Sequence, residues 1–270
     1  MREQTKHLIA TKFSFLRYLV ISILRLFAVD IEIKNPYSKK PFRLNSYNHK
    51  GYWFYGKARE EGTTNSLKRL VKNGDAVIEV GGHIGFLSHL YSQLVGVDGL
   101  VHVFEPGDNN LSYTRPNLDC LENVTLYEKG CSDNSGIVEF HLDSLSGQNN
   151  SILKDYENVE ATAASHYVSA QRNKVTIKVT TLDEFIENLG AQPNHIKIDV
   201  EGAELLVIKG MTKFLGTVPT LMIEVTRDEQ EVFLLMRTAG YVAYDEHLLE
   251  IQDGHIIIGN VFFILEGVIF

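Results

Sequence analysis

The chain has 270 residues, 44% apolar and 22% charged, which is enough for one large core and unlike a disordered or collagen-like composition. Its net charge of −8 argues against a surface that grips nucleic acid throughout, because neutralising phosphates takes a surplus of cations. Two cysteines, Cys120 and Cys131, exclude a disulfide framework and a four-thiolate zinc site and suit a reduced, cytoplasmic setting.

Charge is unevenly spread along the chain. Met1 to Val29 carries Arg2, Lys6, Lys12, Arg17 and Arg25 against Glu3 alone, net +4, which leaves the remainder at −12. In the same stretch Phe15, Leu16, Leu19, Val20, Ile23, Leu24 and Phe27 recur at three- and four-residue steps, so an amphipathic helix is predicted. Arg17 and Arg25 cut the uncharged run well below the ~20 residues of a membrane span. No small-residue cleavage pattern follows, which speaks against a signal peptide. Two readings stand: a helix packed on the domain, the commoner use of such a segment, or a basic anchor lying on a membrane surface. Residues 1–50 are thus read as a helix with a connector, and residues 51–270 as one domain.

A proline- and lysine-bearing connector spans Asn35 to Phe42, followed by the aromatic cluster Tyr52-Trp53-Phe54-Tyr55 and a polar run, Lys57 to Ser66, with no visible period. Beyond Gly74, strand-length apolar runs alternate with helical patterns: Ala76 to Val80, then Phe86 to Leu94; Leu100 to Phe104, then Asn109 to Cys120; then Val124 to Tyr127. Such alternation predicts parallel crossovers and a sheet covered on both faces. It lapses through the strand Gly136 to Leu142, the polar stretch Ser144 to Lys174, the strand Val175 to Thr180 and the helix Leu182 to Leu189. Alternation resumes with His195 to Val200 and the helix Ala203 to Phe214, then Thr220 to Val225 and the helix Glu229 to Ala239. Tyr241 to Asp245 and Val261 to Leu265 are joined too briefly for a crossover and are expected to run antiparallel to one another.

Ligands of such sheets bind beyond the carboxyl ends of the strands, where strand order reverses. The first strand end reads Glu79-Val80-Gly81-Gly82-His83-Ile84-Gly85, a glycine turn into a helix through which a ligand could approach the backbone. Its spacing is not that of the dinucleotide fingerprint, and it lacks the Lys-Ser/Thr of a phosphate loop. The glycine spacing disfavours a nicotinamide-dependent oxidoreductase. The second strand ends on Glu105, where a carboxylate commonly accepts hydrogen bonds from a ribose diol. After the third come Cys131-Ser132-Asp133, either an adenine contact or a plain polar turn. Asp199 and Glu201 follow the fourth strand and Glu224 ends the fifth. Crowded carboxylates need compensation. Lys197, Lys209 or Arg227 could supply it; so could a cationic ligand such as the sulfonium of S-adenosylmethionine, or a divalent cation, although no metal ligands are assigned.

Four segments in order resemble the FkbM-type S-adenosylmethionine-dependent methyltransferases: Asn73 to Gly85, Phe104-Glu105-Pro106, Thr180-Thr181-Leu182-Asp183, and Ile196 to Glu204. The resemblance covers roughly Gly74 to Val225 and departs at Glu79, where the family usually has Asp, and at Gly82-His83, where it has Ala-Asn. It implies an α/β class I methyltransferase (Rossmann-like) fold: a mostly parallel seven-stranded sheet with an antiparallel terminal strand. It implies S-adenosylmethionine as cofactor and O-methylation of a sugar or other small-molecule or glycan acceptor. Glu79, Gly81, His83 and Gly85 would then hold the methionine part, Glu105 the ribose and Asp133 the adenine. Asp199 and Glu201 would face the methyl group and acceptor, with Asp199 serving both cofactor and catalysis. Asp199, Glu201 and His83 are the candidate bases, Glu224 a weaker one, and His83 is equally readable as a hydrogen-bond donor to the cofactor. The competing class is a non-catalytic cofactor-binding protein of the same fold. Ser144 to Lys174 and Tyr52 to Tyr55 are candidate acceptor walls, though solvated loops and core aromatics are the commoner fate of such segments.

Overall fold

The computed structural model describes residues 25–143, 146–153, 172–252 and 254–270. The amphipathic helix expected from Met1 lies outside the described residues except for its end, where Leu26, Phe27 and Val29 are exposed. In chain order the elements begin with strands β1 (Asp30–Lys34) and β2 (Pro41–Asn45) and helices α1 (Lys50–Tyr55) and α2 (Glu61–Leu70). Alternation then gives β3 (Ala76–Val80), α3 (Phe86–Val95), β4 (Leu100–Phe104), α4 (Asp108–Leu118) and β5 (Val124–Tyr127). Next come β6 (Gly130–Cys131), β7 (Gly136–Asp143), β8 (Arg172–Thr180) and α5 (Leu182–Leu189). The chain finishes with β9 (His195–Ile198), α6 (Glu204–Lys209), β10 (Thr220–Val225), α7 (Glu229–Thr238), β11 (Tyr241–Tyr244) and β12 (Gly259–Leu265).

Seven strands form the main sheet in the order β11-β12-β10-β9-β3-β4-β5. All run parallel except β12, which lies antiparallel between β10 and β11. Strand order reverses at β3, which has β4 on one side and β9 on the other, so the crevice opens at the ends of β3, β4 and β9. Continuous apolar runs suit strands buried on both faces. Ile78, Val80, Ile198 and Ile223 pack toward α5, α6 and α7, whereas Val77, Val103 and Met222 pack toward α2 and α3. Helix α5 matches the expected span; Thr181 caps it by accepting from Glu184 N, and Gly190 ends it in a left-handed conformation.

Three stretches differ from the sequence reading. The connector around Asn35 to Phe42 is the turn of a hairpin and the start of its second strand: β1 and β2 pair antiparallel, and Phe42 and Leu44 bury alternate positions against Tyr52, Ile84 and Phe86. The unperiodic polar run contains the start of α2, whose buried face is Thr63, Thr64, Ser66, Leu67 and Leu70; hydroxyl residues conceal a helical stripe from an apolar count. Strands β7 and β8 leave the main sheet and pair with each other, with β6 alongside β8, as a separate three-stranded sheet.

Candidate active site

A cavity of about 860 Å³ lies over the reversal point, walled by the ends of β3, β4, β9 and β10, by α1 and by residues 147–150. Its size is near the upper end of ordinary ligand pockets, room enough for a nucleoside cofactor and a second small molecule. Among the described residues, its charged lining comprises six carboxylates, Glu60, Glu79, Glu105, Asp199, Glu201 and Glu224, and two cations, Arg59 and Lys197.

Register creates the first charge cluster. Parallel pairing of β3 with β9 sets Glu79 directly opposite Lys197 across 118 residues of sequence. The Lys197 amine lies 3.6 Å from Glu79 and 3.1 Å from Asp199, and it donates to the Gly81 carbonyl at 2.8 Å. Burial alone would pull Lys197 down, but the charges of Asp199 and Glu79 outweigh it and hold the amine above its usual range. Glu79 is almost fully buried and accepts from the Ser88 hydroxyl at 2.5 Å; burial raises its pKa. Of the three cations that could compensate the strand-end acids, Lys197 does so, whereas Lys209 pairs with Glu231 and Arg227 with Asp228.

The glycine turn is shaped by neighbouring backbone. Gly81 has φ +87°, and a Cβ there would sit 1.7 Å from the Asp199 carbonyl oxygen; one on Gly82 would sit 2.3 Å from Val103 Cγ1. These glycines are required by strand packing whatever the ligand. Both amides donate to the Phe104 carbonyl at 3.0 Å. Gly85 starts α3 and does not line the cavity.

His83 follows at φ +48°, a conformation costly for a residue with a Cβ. Its amide donates to Glu105 Oε2 at 2.8 Å, Nδ1 is 2.9 Å from the Tyr52 hydroxyl and Nε2 is 3.0 Å from the Ser146 carbonyl. Because the carbonyl can only accept, Nε2 carries the hydrogen and Nδ1 accepts from Tyr52. Burial, with His49 nearby, pulls the imidazole down to about 3. The ring is therefore a neutral strut at physiological pH, with both nitrogens engaged. Glu105 is buried and also accepts from Gly107 N at 2.9 Å and Asn110 at 3.2 Å, while burial pushes it up to about 7.

On the opposite wall Asp199, Glu201 and Glu224 are half-buried, each offering a carboxylate oxygen within 4.8 Å of the others, a spacing that could hold a cation. Burial alone would raise Asp199, but Lys197 and a hydrogen bond from Glu224 hold it below the usual range. Asp199's charge and then burial push Glu224 well above its own. One proton thus sits between them, mainly on Glu224. Glu201 has φ +57°, and its carbonyl accepts from Ser151 at 2.7 Å. Glu204, buried in the same motif, accepts from Val200 N and Gly202 N and pins the turn.

Asp133 is exposed in a turn, where Ser132 donates to it, and the structure does not bring it to the cavity. The wall in that direction is apolar: Cys131, Phe140, Ile152 and Ile177. Asp183 also stays outside, accepting from Lys213 N at 3.0 Å. Of the aromatic cluster Tyr52 lines the cavity, Trp53 donates to the Ser46 carbonyl, and Phe54 and Tyr55 are exposed. Residues 147–150 and Ile152, from the polar stretch after β7, line the cavity; positions 144–145 and 154–171 lie outside the described residues. Sequence reading missed Arg59 and Glu60. The signal that could have found Glu60, its φ of +56°, exists only in the fold.

A model of the methyltransferase FkbM domain matches residues 79–249, more than half of the chain. The chain belongs to the FkbM methyltransferase family. Its sheet, with one reversed strand between two parallel ones near the edge, is the class I methyltransferase arrangement expected from the sequence. A hexuronic acid methyltransferase, AglP of Haloferax volcanii, is 27% identical over 168 residues; the match covers 62% of this chain and 62% of that relative, short of two thirds of its length. Among solved structures, Aeropyrum pernix fibrillarin with bound S-adenosyl-L-methionine is 11% identical with a TM-score of 0.45, covering 87% of each chain. Precorrin-6y C5,15-methyltransferase of Geobacter metallireducens GS-15 is 15% identical with a TM-score of 0.42, covering 76% of this chain and 85% of that one.

Proposed function

We propose that the protein is an S-adenosylmethionine-dependent O-methyltransferase acting on a hydroxyl of a sugar or glycan. The observation that carries this reading is Glu105, a buried carboxylate at the end of β4, beside the reversal point and on the cavity wall. Three protein donors approach it, and its remaining lone pairs suit a ribose diol. The acidic lining of the cavity suits a cationic cofactor, and the apolar wall of Cys131, Phe140 and Ile177 suits an adenine ring better than exposed Asp133 does. The Gly81 to His83 turn, Glu79 and Lys197 would flank the methionine end. When bound, S-adenosylmethionine supplies a methyl group on a sulfonium, whose positive charge disappears on transfer. The similarity to a hexuronic acid methyltransferase favours a sugar acceptor.

Asp199 is the group we assign as base. It is half-buried in the cavity and ionised, while Glu224 holds the shared proton and His83 is engaged at both nitrogens. An acceptor O–H becomes strongly acidic as its oxygen bonds to carbon, so even a carboxylate held low takes that proton. Glu201, on the adjoining turn, orients the acceptor, and Tyr52 and His83 exclude water from one wall.

Titration calorimetry with S-adenosylhomocysteine tests the reading. Binding is expected in the micromolar range and weakens ~10–100-fold in Glu105→Gln, on the scale of losing hydrogen bonds to a charged group. No binding at millimolar ligand sinks the assignment. Cofactor binding without methyl transfer to any member of a glycoside panel would favour the non-catalytic alternative, for which the Gly82-His83 departure is the motive.

The same reading includes contact with a membrane surface. Residues 1–29 hold five Lys and Arg against one Glu, and Leu26, Phe27 and Val29 are exposed within that segment. No helix among the described residues is long and apolar enough to cross a membrane. Co-sedimentation with phosphatidylserine vesicles is expected at low salt; equal recovery with neutral vesicles would refute it.

A further inference from the structure

Resting on the methyltransferase reading, we propose that Arg59 is the docking group for a carboxylate on the acceptor, which makes the acceptor an acidic sugar. Of the two cations lining the cavity, Lys197 is saturated by Glu79, Asp199 and the Gly81 carbonyl. Arg59 is not. Its side chain is 28% exposed, its guanidinium lies 4.4 Å from the centre of the Tyr52 ring, and Nε is 3.1 Å from Glu60. Among the described residues no hydrogen bond reaches its two terminal nitrogens.

A guanidinium set over an aromatic ring, with two terminal nitrogens that make no hydrogen bond among the described residues, keeps the donors that a carboxylate engages in two-point fashion. The ring contact and the Glu60 pair restrain the side chain before anything binds, which lowers the ordering cost of recognition. Tyr52 is itself held by the His83 hydrogen bond at 2.9 Å, so the Arg59 platform is coupled to the strand-end turn. Electrostatics then select. Lys197 is taken up by Glu79 and Asp199, and the other charged groups of the lining are acids, so Arg59 is the favourable place for the charge of an acidic sugar entering the cavity. Arg59 and Asp199 line the same cavity, so a sugar docked on Arg59 shares the chamber with the assigned base.

The cofactor's own α-carboxylate offers the same chemistry. The experiment below distinguishes the two sources.

Calorimetry with methyl glucuronide and methyl glucoside, on protein loaded with S-adenosylhomocysteine and on protein alone, separates the outcomes. We expect methyl glucuronide to bind at least ten-fold more tightly than methyl glucoside, that preference to vanish in Arg59→Gln, and Arg59→Lys to retain part of it. Equal affinities for the two glycosides, or a preference that survives Arg59→Gln, overturns the proposal. A third arm compares S-adenosylhomocysteine with methylthioadenosine, which lacks the carboxylate. If Arg59→Gln removes the preference for the former and leaves the glucuronide preference intact, Arg59 serves the cofactor and the acceptor assignment falls. Failure of S-adenosylhomocysteine to bind the unmutated protein would count against the methyltransferase reading alone, because the glycoside arm on the unloaded protein still tests Arg59.

Discussion

The two walls of the crevice are built on different principles. At the ends of β3 and β4 nearly every polar atom has a protein partner: Glu79 with Ser88 and Lys197, Glu105 with His83, Gly107 and Asn110, and His83 at both ring nitrogens. At the ends of β9 and β10, Asp199, Glu201 and Glu224 crowd together half-buried, one of them kept protonated by its neighbour. A saturated wall is preorganised and binds with little rearrangement, whereas a charged, partly hydrated wall can exchange protons. The division matches a cofactor held on one side and an acceptor deprotonated on the other.

Lys197 joins the walls, so its removal should have the largest effect. Lys197→Met leaves Glu79 buried without its cation and is expected to lose about 3–5 kcal/mol of stability at pH 7.5, measured by urea unfolding. Part of that loss should return at pH 5. A carboxylate whose folded pKa is raised binds more protons folded than unfolded, so stability falls as pH rises through that pKa. Loss below 1 kcal/mol would show that the walls are not electrostatically joined.

Asp199→Asn should next lower kcat by about 10²–10⁴ while disturbing S-adenosylhomocysteine affinity far less. An equal loss in both would place Asp199 on the cofactor wall. Smaller again is a pH effect on the saturated wall. With Glu105 held at about 7, a ribose diol binds best to its ionised form, so cofactor affinity should rise roughly ten-fold from pH 6 to a plateau above about pH 8. Binding at pH 6 should release a proton, seen by calorimetry in buffers of different ionisation enthalpy; affinity flat across that range would remove Glu105 from the ribose site. Asp133→Ala should change cofactor affinity by less than about two-fold, as fits exposed positions away from a site. A ten-fold loss there would restore Asp133 as an adenine contact.

Much of this site was readable before the fold was known. Glu105, Asp199, Glu201 and the glycine turn all sit at strand ends, and strand ends are visible as apolar runs meeting Gly, Pro or acid. Asp133 sits in a comparable place, yet its side chain faces solvent, because β6 turns aside to pair with β8 and takes the following residues out of the crevice. The hairpin β1-β2 and helix α2 were hidden for another reason. Their buried positions are few or hydroxyl-bearing, so neither period stands out above the charged residues between them. Arg59 and Glu60 were missed with them, since the cavity wall they form depends on where α1 packs.

By itself the sequence determined the alternation of strand and helix, the parallel sheet and the acids at its carboxyl edge, because hydrophobic period and strand-end chemistry are local properties of the chain. Tertiary structure alone decided which acids share a proton, which two meet Lys197 and which cations line the cavity. The pairing of Glu79 with Lys197 depends on register between strands more than a hundred residues apart, where one residue of slip would send each side chain to the opposite face.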